Sequence, residues 1–206
     1  MRKKVSKREL LYPFAANYIL TKKESIKRQL LSDGSQRIEK KVAILGGYTT
    51  SNIKLILELF LLNNGIQPEF YESEYNQFYQ DAMFDNFQLE EFRPDIIYVC
   101  TSNRNVIRYP VMNDTAEEGE ELINSETHRF ASVWKSLSEK YGCPIMQNNF
   151  EMPFYRLLGN RDAYDIHGKV NFLTRLNTKF HEYAQTHENF WLFIRMCGIK
   201  NRLKSA

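Results

Sequence analysis

Cysteine is scarce in these 206 residues, and its three copies, Cys100, Cys143 and Cys197, stand far apart. An odd number with no Cys-x-x-Cys and no Cys/His metal spacing argues against a disulfide framework and a zinc module, so three reduced core residues and no metal site are expected. Charge of one sign is also lacking, with 28 Lys and Arg against 25 Asp and Glu. The small basic excess lies in MRKKVSKREL, TKKESIKRQ and IKNRLKSA near the two ends, where it reads as solvated surface. No basic patch alternates with stacking aromatics, so a nucleic-acid partner is not expected. No apolar run approaches the roughly 18 residues of a membrane span, and no charged-then-apolar leader opens the chain, which reads as cytoplasmic with no membrane partner. Gly-x-x-x-x-Gly-Lys and Gly-x-Gly-x-x-Gly are both absent, and no cofactor is expected.

What is present is a repeated alternation of two periods. KVAILGG is a β-branched and aliphatic run stopped by two glycines, suited to a strand buried on both faces. SNIKLILELFLLNNG follows, apolar almost all round and closed by Asn64 and Gly65, a good helix stop. IQPEFYESEY is short, aromatic and starts around a proline, as an edge strand would. RPDIIYVCTSN, CPIMQNNFEMP and NFWLFI complete five strands, with amphipathic helices in ETHRFASVWKSLSEKYG and NFLTRLNTKFHEYAQTH. Strands separated by helices predict an α/β fold, a three-layer α/β/α sandwich on a parallel five-stranded sheet. Residues 1–38, with the short helical pattern SIKRQLLSDG, read as an amino-terminal helical extension, and residues 39–206 as the α/β domain.

In such sheets ligands bind outside the carboxyl ends of the strands, where strand order reverses. Strand one ends in Gly46, Gly47, Tyr48, Thr49, Thr50 and Ser51. The glycines allow a sharp turn, and the hydroxyls are placed to cap a helix whose free N–H groups favour an anion. The same residues suit any strand-to-helix junction. Strand three ends in Thr101, Ser102, Asn103, Arg104 and Asn105, where amides can donate to an oxyanion and a guanidinium can grip phosphate or carboxylate. Strand four ends in Asn148, Asn149 and Glu151, which also read as turn residues. His128, His181 and His187 fall on or near amphipathic helices. His167, in a polar loop with Asp162 and Asp165, is the one histidine placed to serve a site.

The segments KKESIKRQLL, AILGGYTTSNIK, LELFLLNNGIQPEFYESEYNQFYQDAMF, FRPDIIYVCTSNRN and FYRLLGNRDAYDIHGKVNFLTRLN resemble, in this order, the amino-terminal region of the FkbH-like proteins. That region is similar to the SGNH hydrolases, a flavodoxin-like sandwich with Gly-Asp-Ser after strand one. The resemblance implies a domain that precedes a haloacid-dehalogenase-type phosphatase in systems loading a glyceryl unit from a phosphorylated three-carbon donor onto an acyl carrier protein, in polyketide or surface-polysaccharide biosynthesis. The phosphatase half needs Asp-x-Asp-x-Thr, and these residues contain no Asp-x-Asp, so that half is expected from a separately encoded partner or from sequence beyond this chain. Tyr48 stands where the serine nucleophile would, a phenol with a pKa of about 10, and WLFIRMCGIKNRLKSA holds no Asp-x-x-His. Two readings follow. In the first, Gly46, Gly47, Tyr48, Thr49, Asn103, Arg104, Asn105 and Asn148 form a binding crevice for a phosphorylated ligand or a carrier's arm. In the second, Ser51 or Thr50 attacks a carbonyl with His167 as base, as in an acyltransferase or esterase.

Overall fold

The computed structural model describes residues 8–194. The basic stretches MRKKVSK and IKNRLKSA, and Cys197, lie outside them. Five strands, β1 (Ile38–Gly46), β2 (Ile66–Glu72), β3 (Ile96–Cys100), β4 (Ile145–Asn148) and β5 (Phe190–Phe193), form one sheet in the order β2-β1-β3-β4-β5. Every pairing is parallel. Six α-helices accompany them among the described residues: α1 (Ala16–Leu31), α2 (Ser51–Asn63), α3 (Phe78–Met83), α4 (Phe87–Phe92), α5 (Ala116–Tyr141) and α6 (Lys169–Thr186). Helices on both faces of a parallel sheet make the expected α/β/α sandwich. The chain leaves β1 for β2 on one side and returns to β3 on the other, so strand order reverses between β1 and β3.

Alternation along the strands divides the core. Ala43, Leu45, Ile97, Val99 and Ile145 face α3, α4, α5 and α6, where Phe130, Trp134, Phe150, Phe180 and Phe190 pack ring against ring. Val42, Ile44 and Cys100 face α2. That helix is apolar almost all round because it is covered twice. Ile53, Leu57 and Leu61 meet the sheet, while Leu59 and Leu62 meet Leu10, Ile19, Ile26 and Leu30 of the amino-terminal segment. Cys100 and Cys143 are buried, unbridged thiols.

Three boundaries differ from the sequence pattern. β1 begins at Ile38 rather than Lys41, because Ile38 to Lys41 pair with β2 alone and stay solvated enough to tolerate charge. α5 begins at Ala116 rather than Glu126: the Thr115 hydroxyl accepts from the Glu118 N–H at 3.2 Å, and the Glu118 carboxylate accepts from the Thr115 N–H at 2.7 Å, a capping box ahead of an acidic, glycine-containing turn. The connection from β2 to β3 holds α3 and α4, each too short for a 3.6-residue period to show. Within the connector SQRIEKK, Arg37 donates to the Leu30 carbonyl at 2.5 Å and the Leu62 carbonyl at 3.2 Å. One cation thus satisfies the carboxyl ends of both α1 and α2.

Leu30 is fully buried between those helices. Leu30→Ala is expected to lower stability by about 3 kcal/mol through lost transfer energy and a residual cavity, read as a lower urea midpoint with an unchanged slope.

Candidate functional site at the carboxyl ends of the strands

The ends of β1 and β3 meet on one edge. The Gly47 N–H donates to the Cys100 carbonyl at 2.9 Å, and the Asn105 amide donates to the Gly47 carbonyl at 2.8 Å. The same amide donates to the Asn76 side chain at 2.9 Å, while its oxygen accepts from the Ser102 N–H at 2.8 Å. Asn76 sits at a φ of 59°, a left-handed conformation that asparagine tolerates better than most residues. A Cβ on Gly47 would fall inside the Asn105 side chain. Glycine here is therefore a requirement of close approach, and Asn105 is a clamp whose amide is already occupied.

A second clamp joins β3 to β4. The fully buried Asn148 accepts from the Thr101 N–H at 3.0 Å and donates to the Thr101 carbonyl at 2.6 Å. An amide side chain here continues the ladder beyond its last paired strand residues, Val99 and Gln147. Gln147 extends the network, accepting from Trp134 Nε1 at 3.1 Å and donating to Thr101 Oγ1 at 2.9 Å. Asn103 donates to the Glu151 carbonyl at 3.2 Å, and its own carbonyl accepts from the Tyr109 hydroxyl at 2.5 Å. Burial holds that phenol well above its ordinary range. Arg104 is exposed and makes no side-chain hydrogen bond or ion pair among the described residues.

At the start of α2 the hydroxyls do something other than cap. Thr50 is 3% exposed and donates to Glu72 Oε1 at 2.6 Å, so α2 begins without a side-chain cap. Lys54 closes on the other Glu72 oxygen, and Ser51 adds a further hydrogen bond to this carboxylate. Burial works to raise the pKa of Glu72, but the bonds from Lys54 and Thr50 and the Lys54 charge outweigh it, and the net shift is downward. A carboxylate held ionised in this way is a poor acceptor for a threonine proton. Thr49 is exposed. Tyr48 packs against the Val42, Ile44 and Cys100 cluster, with its hydroxyl 3.1 Å from Cys100 Sγ. The ring in the serine's place thus belongs to the core beneath α2.

His167 lies between two loops with both ring nitrogens engaged. Nδ1 is 2.9 Å from Asp165 Oδ1, and Nε2 is 2.9 Å from the Asp114 carbonyl oxygen. Both partners are acceptors, so the ring satisfies both only as the doubly protonated imidazolium. The Asp114 carbonyl first, then the Asp165 carboxylate, raise its pKa above 6.5. Asp162, buried beside it, accepts from the Val170 N–H at 2.8 Å and anchors the start of α6.

The sequence reading missed the polar end of β2. Glu72, Ser73, whose hydroxyl accepts from the Gly46 N–H at 2.8 Å, and Asn76 all support the β1 turn. The signal was available in YESEYN, a run of polar residues at the end of a parallel strand. Glu126 and Arg129 of α5 also brace the 101–107 segment, through the Ile107 N–H at 3.1 Å and the Asn105 carbonyl at 2.7 Å. No group of three or more His, Cys, Asp or Glu side chains suited to a metal ion occurs among the described residues.

No family model matches the chain, and no curated protein matches it. Among solved structures, the N-terminal part of the protein BF1531 from Bacteroides fragilis, containing a phosphatase domain and complexed with Mg, is similar, with a TM-score of 0.64 and 19% identity. The match covers 82% of this chain and 44% of that one. The chain thus spans less than half the length of that structure, and the likeness is one of fold.

Gly47→Ala is expected to displace Asn105 and cost about 1–3 kcal/mol, the scale of overpacking a filled site, seen as a lowered thermal midpoint. The His167 ring is expected to titrate above 6.5 by NMR, and Asp165→Asn to bring that value down. Because the folded pKa is raised, the clasp contributes fully below the unfolded pKa and is lost as pH rises through the raised value.

Proposed function

We propose that this chain is an accessory, substrate- or carrier-binding domain of an FkbH-type glyceryl-transfer system, working with a haloacid-dehalogenase-type phosphatase domain, either separately encoded or lying in sequence beyond these residues. The observation that carries this reading is His167: both of its ring nitrogens are taken up at 2.9 Å, by the Asp165 carboxylate and the Asp114 carbonyl, so neither is turned to a hydroxyl of the β1 turn. Cleavage needs a base within hydrogen-bond reach of the attacking hydroxyl, and binding does not. The fold likeness to a structure that contains a phosphatase domain supports the pairing with a phosphatase.

The groups left for a ligand are the exposed Arg104 guanidinium, the first N–H groups of α2, which lack a side-chain cap, and the exposed hydroxyl of Thr49. All are donors, suited to an anion. That chemistry fits a phosphorylated three-carbon acid or the phosphate-bearing arm of an acyl carrier protein. The acyltransferase or esterase reading is weaker, since Thr50 is buried on an ionised carboxylate and His167 is committed elsewhere.

Calorimetric titration with 3-phosphoglycerate is the direct test. Binding that Arg104→Ala weakens by about 10- to 100-fold, the worth of one charge-assisted contact, is the expected result. Equal affinity in both proteins removes Arg104 from the site. Hydrolysis of a short-chain aryl ester that disappears in Ser51→Ala or Thr50→Ala would overturn the binding reading.

A further inference from the structure

Half of one sheet face carries no helix among the described residues. Right-handed crossovers put α2 over β1 and α3 to α6 on the opposite face. On the α2 side, Ile96 and Tyr98 of β3, Met146 of β4 and Phe193 of β5 floor an apolar slot of about 520 Å³, with Ile53 and Leu57 of α2 as its wall. That volume is the size of a small-molecule site, which typically combines apolar walls with a few placed polar groups. α2 lines the slot from Asn52 to Leu61, a wall about 14 Å long at the rise of an α-helix. A long, narrow, apolar space suits an unbranched aliphatic chain.

The polar end of the slot sets the charge of its occupant. Asn52 is the one amide side chain on the lining. Its Oδ1 accepts from Lys23 Nζ at 3.2 Å, and its Nδ2 donates to nothing among the described residues. Lys23 lies one turn along α1 from Leu20, which also lines the slot. Further along α1, Lys27 is neutralised by Glu58 of α2 at 2.7 Å, whereas Lys23 pairs with no carboxylate among the described residues. An ammonium and an amide, both with hydrogens left to donate, thus stand where the apolar slot opens. Their complement is a carboxylate.

We propose that this slot binds the anion of an unbranched, medium-chain fatty acid, with its carboxylate on Lys23 and Asn52 and its tail against Ile53, Leu57, Tyr98 and Met146. The inference does not rest on what binds at Arg104, and a titration with 3-phosphoglycerate leaves it untouched.

Titration of the full chain with decanoate, below its micellar range, tests it. Binding is expected to saturate at one equivalent and to blue-shift the emission of Trp191, which pairs in register with Met146 and is 61% exposed, while Trp134 is buried. From hexanoate to decanoate the affinity is expected to rise about fourfold per methylene, a series that needs no substitution. Lys23→Met is expected to weaken decanoate about tenfold and to leave the uncharged decanol within about twofold. Met146→Glu is expected to weaken both. Binding that does not saturate, or that ignores chain length, overturns the proposal. So does a decanoate affinity that either substitution leaves unchanged. A dimer that Met146→Glu dissociates and decanoate does not would assign the slot to a second copy and overturn it equally.

Discussion

Two side-chain amides hold the carboxyl edge of this sheet together. Asn105 ties the end of β3 to the Gly47 carbonyl after β1, and Asn148 pairs with both backbone groups of Thr101. Each replaces a backbone partner that the sheet stops supplying where its strands part. A buried peptide group left without a partner costs about 1–3 kcal/mol, so these amides set where the strands are able to end and how close their turns lie. The rest of the edge follows from them: glycine at 47, the braced 101–107 segment, and the outward Arg104.

The same demand for satisfied polar groups separates structural residues from available ones. Thr50, Asn105 and Asn148 have the chemistry of an oxyanion site, yet their donors are used within the fold. His167 has a carboxylate partner, as a general base would, but its second nitrogen faces a carbonyl that can only accept. What remains exposed is a guanidinium, one hydroxyl and an uncapped helix start, all suited to holding negative charge.

Much of the architecture was legible because period and punctuation agreed. The buried run at 42–45, the glycine stops, and the amphipathic stretches of α5 and α6 each report a local physical constraint, and together they name a parallel sandwich. Elements whose stability is borrowed were not legible. α3 and α4 are too short to show a period, and the first turns of α5 depend on the Thr115–Glu118 capping box more than on an apolar stripe. At the site, the residue types at the ends of β1, β3 and β4 were visible, and so was the polar run YESEYN at the end of β2, but which turn Glu72, Ser73 and Asn76 support was not, since that depends on the pairing of β2 with β1.

The sequence by itself determined the strand count, the parallel class, and the clustering of hydroxyls, amides and an arginine at strand ends, because backbone propensity and side-chain period are local properties. Only the tertiary structure decided which of those groups are free. A hydroxyl, an amide or an imidazole is spoken for by whatever donor or acceptor the folded chain brings within about 3 Å, and that neighbour comes from a different strand or loop: Glu72 for Thr50, Gly47 for Asn105, Asp114 for His167.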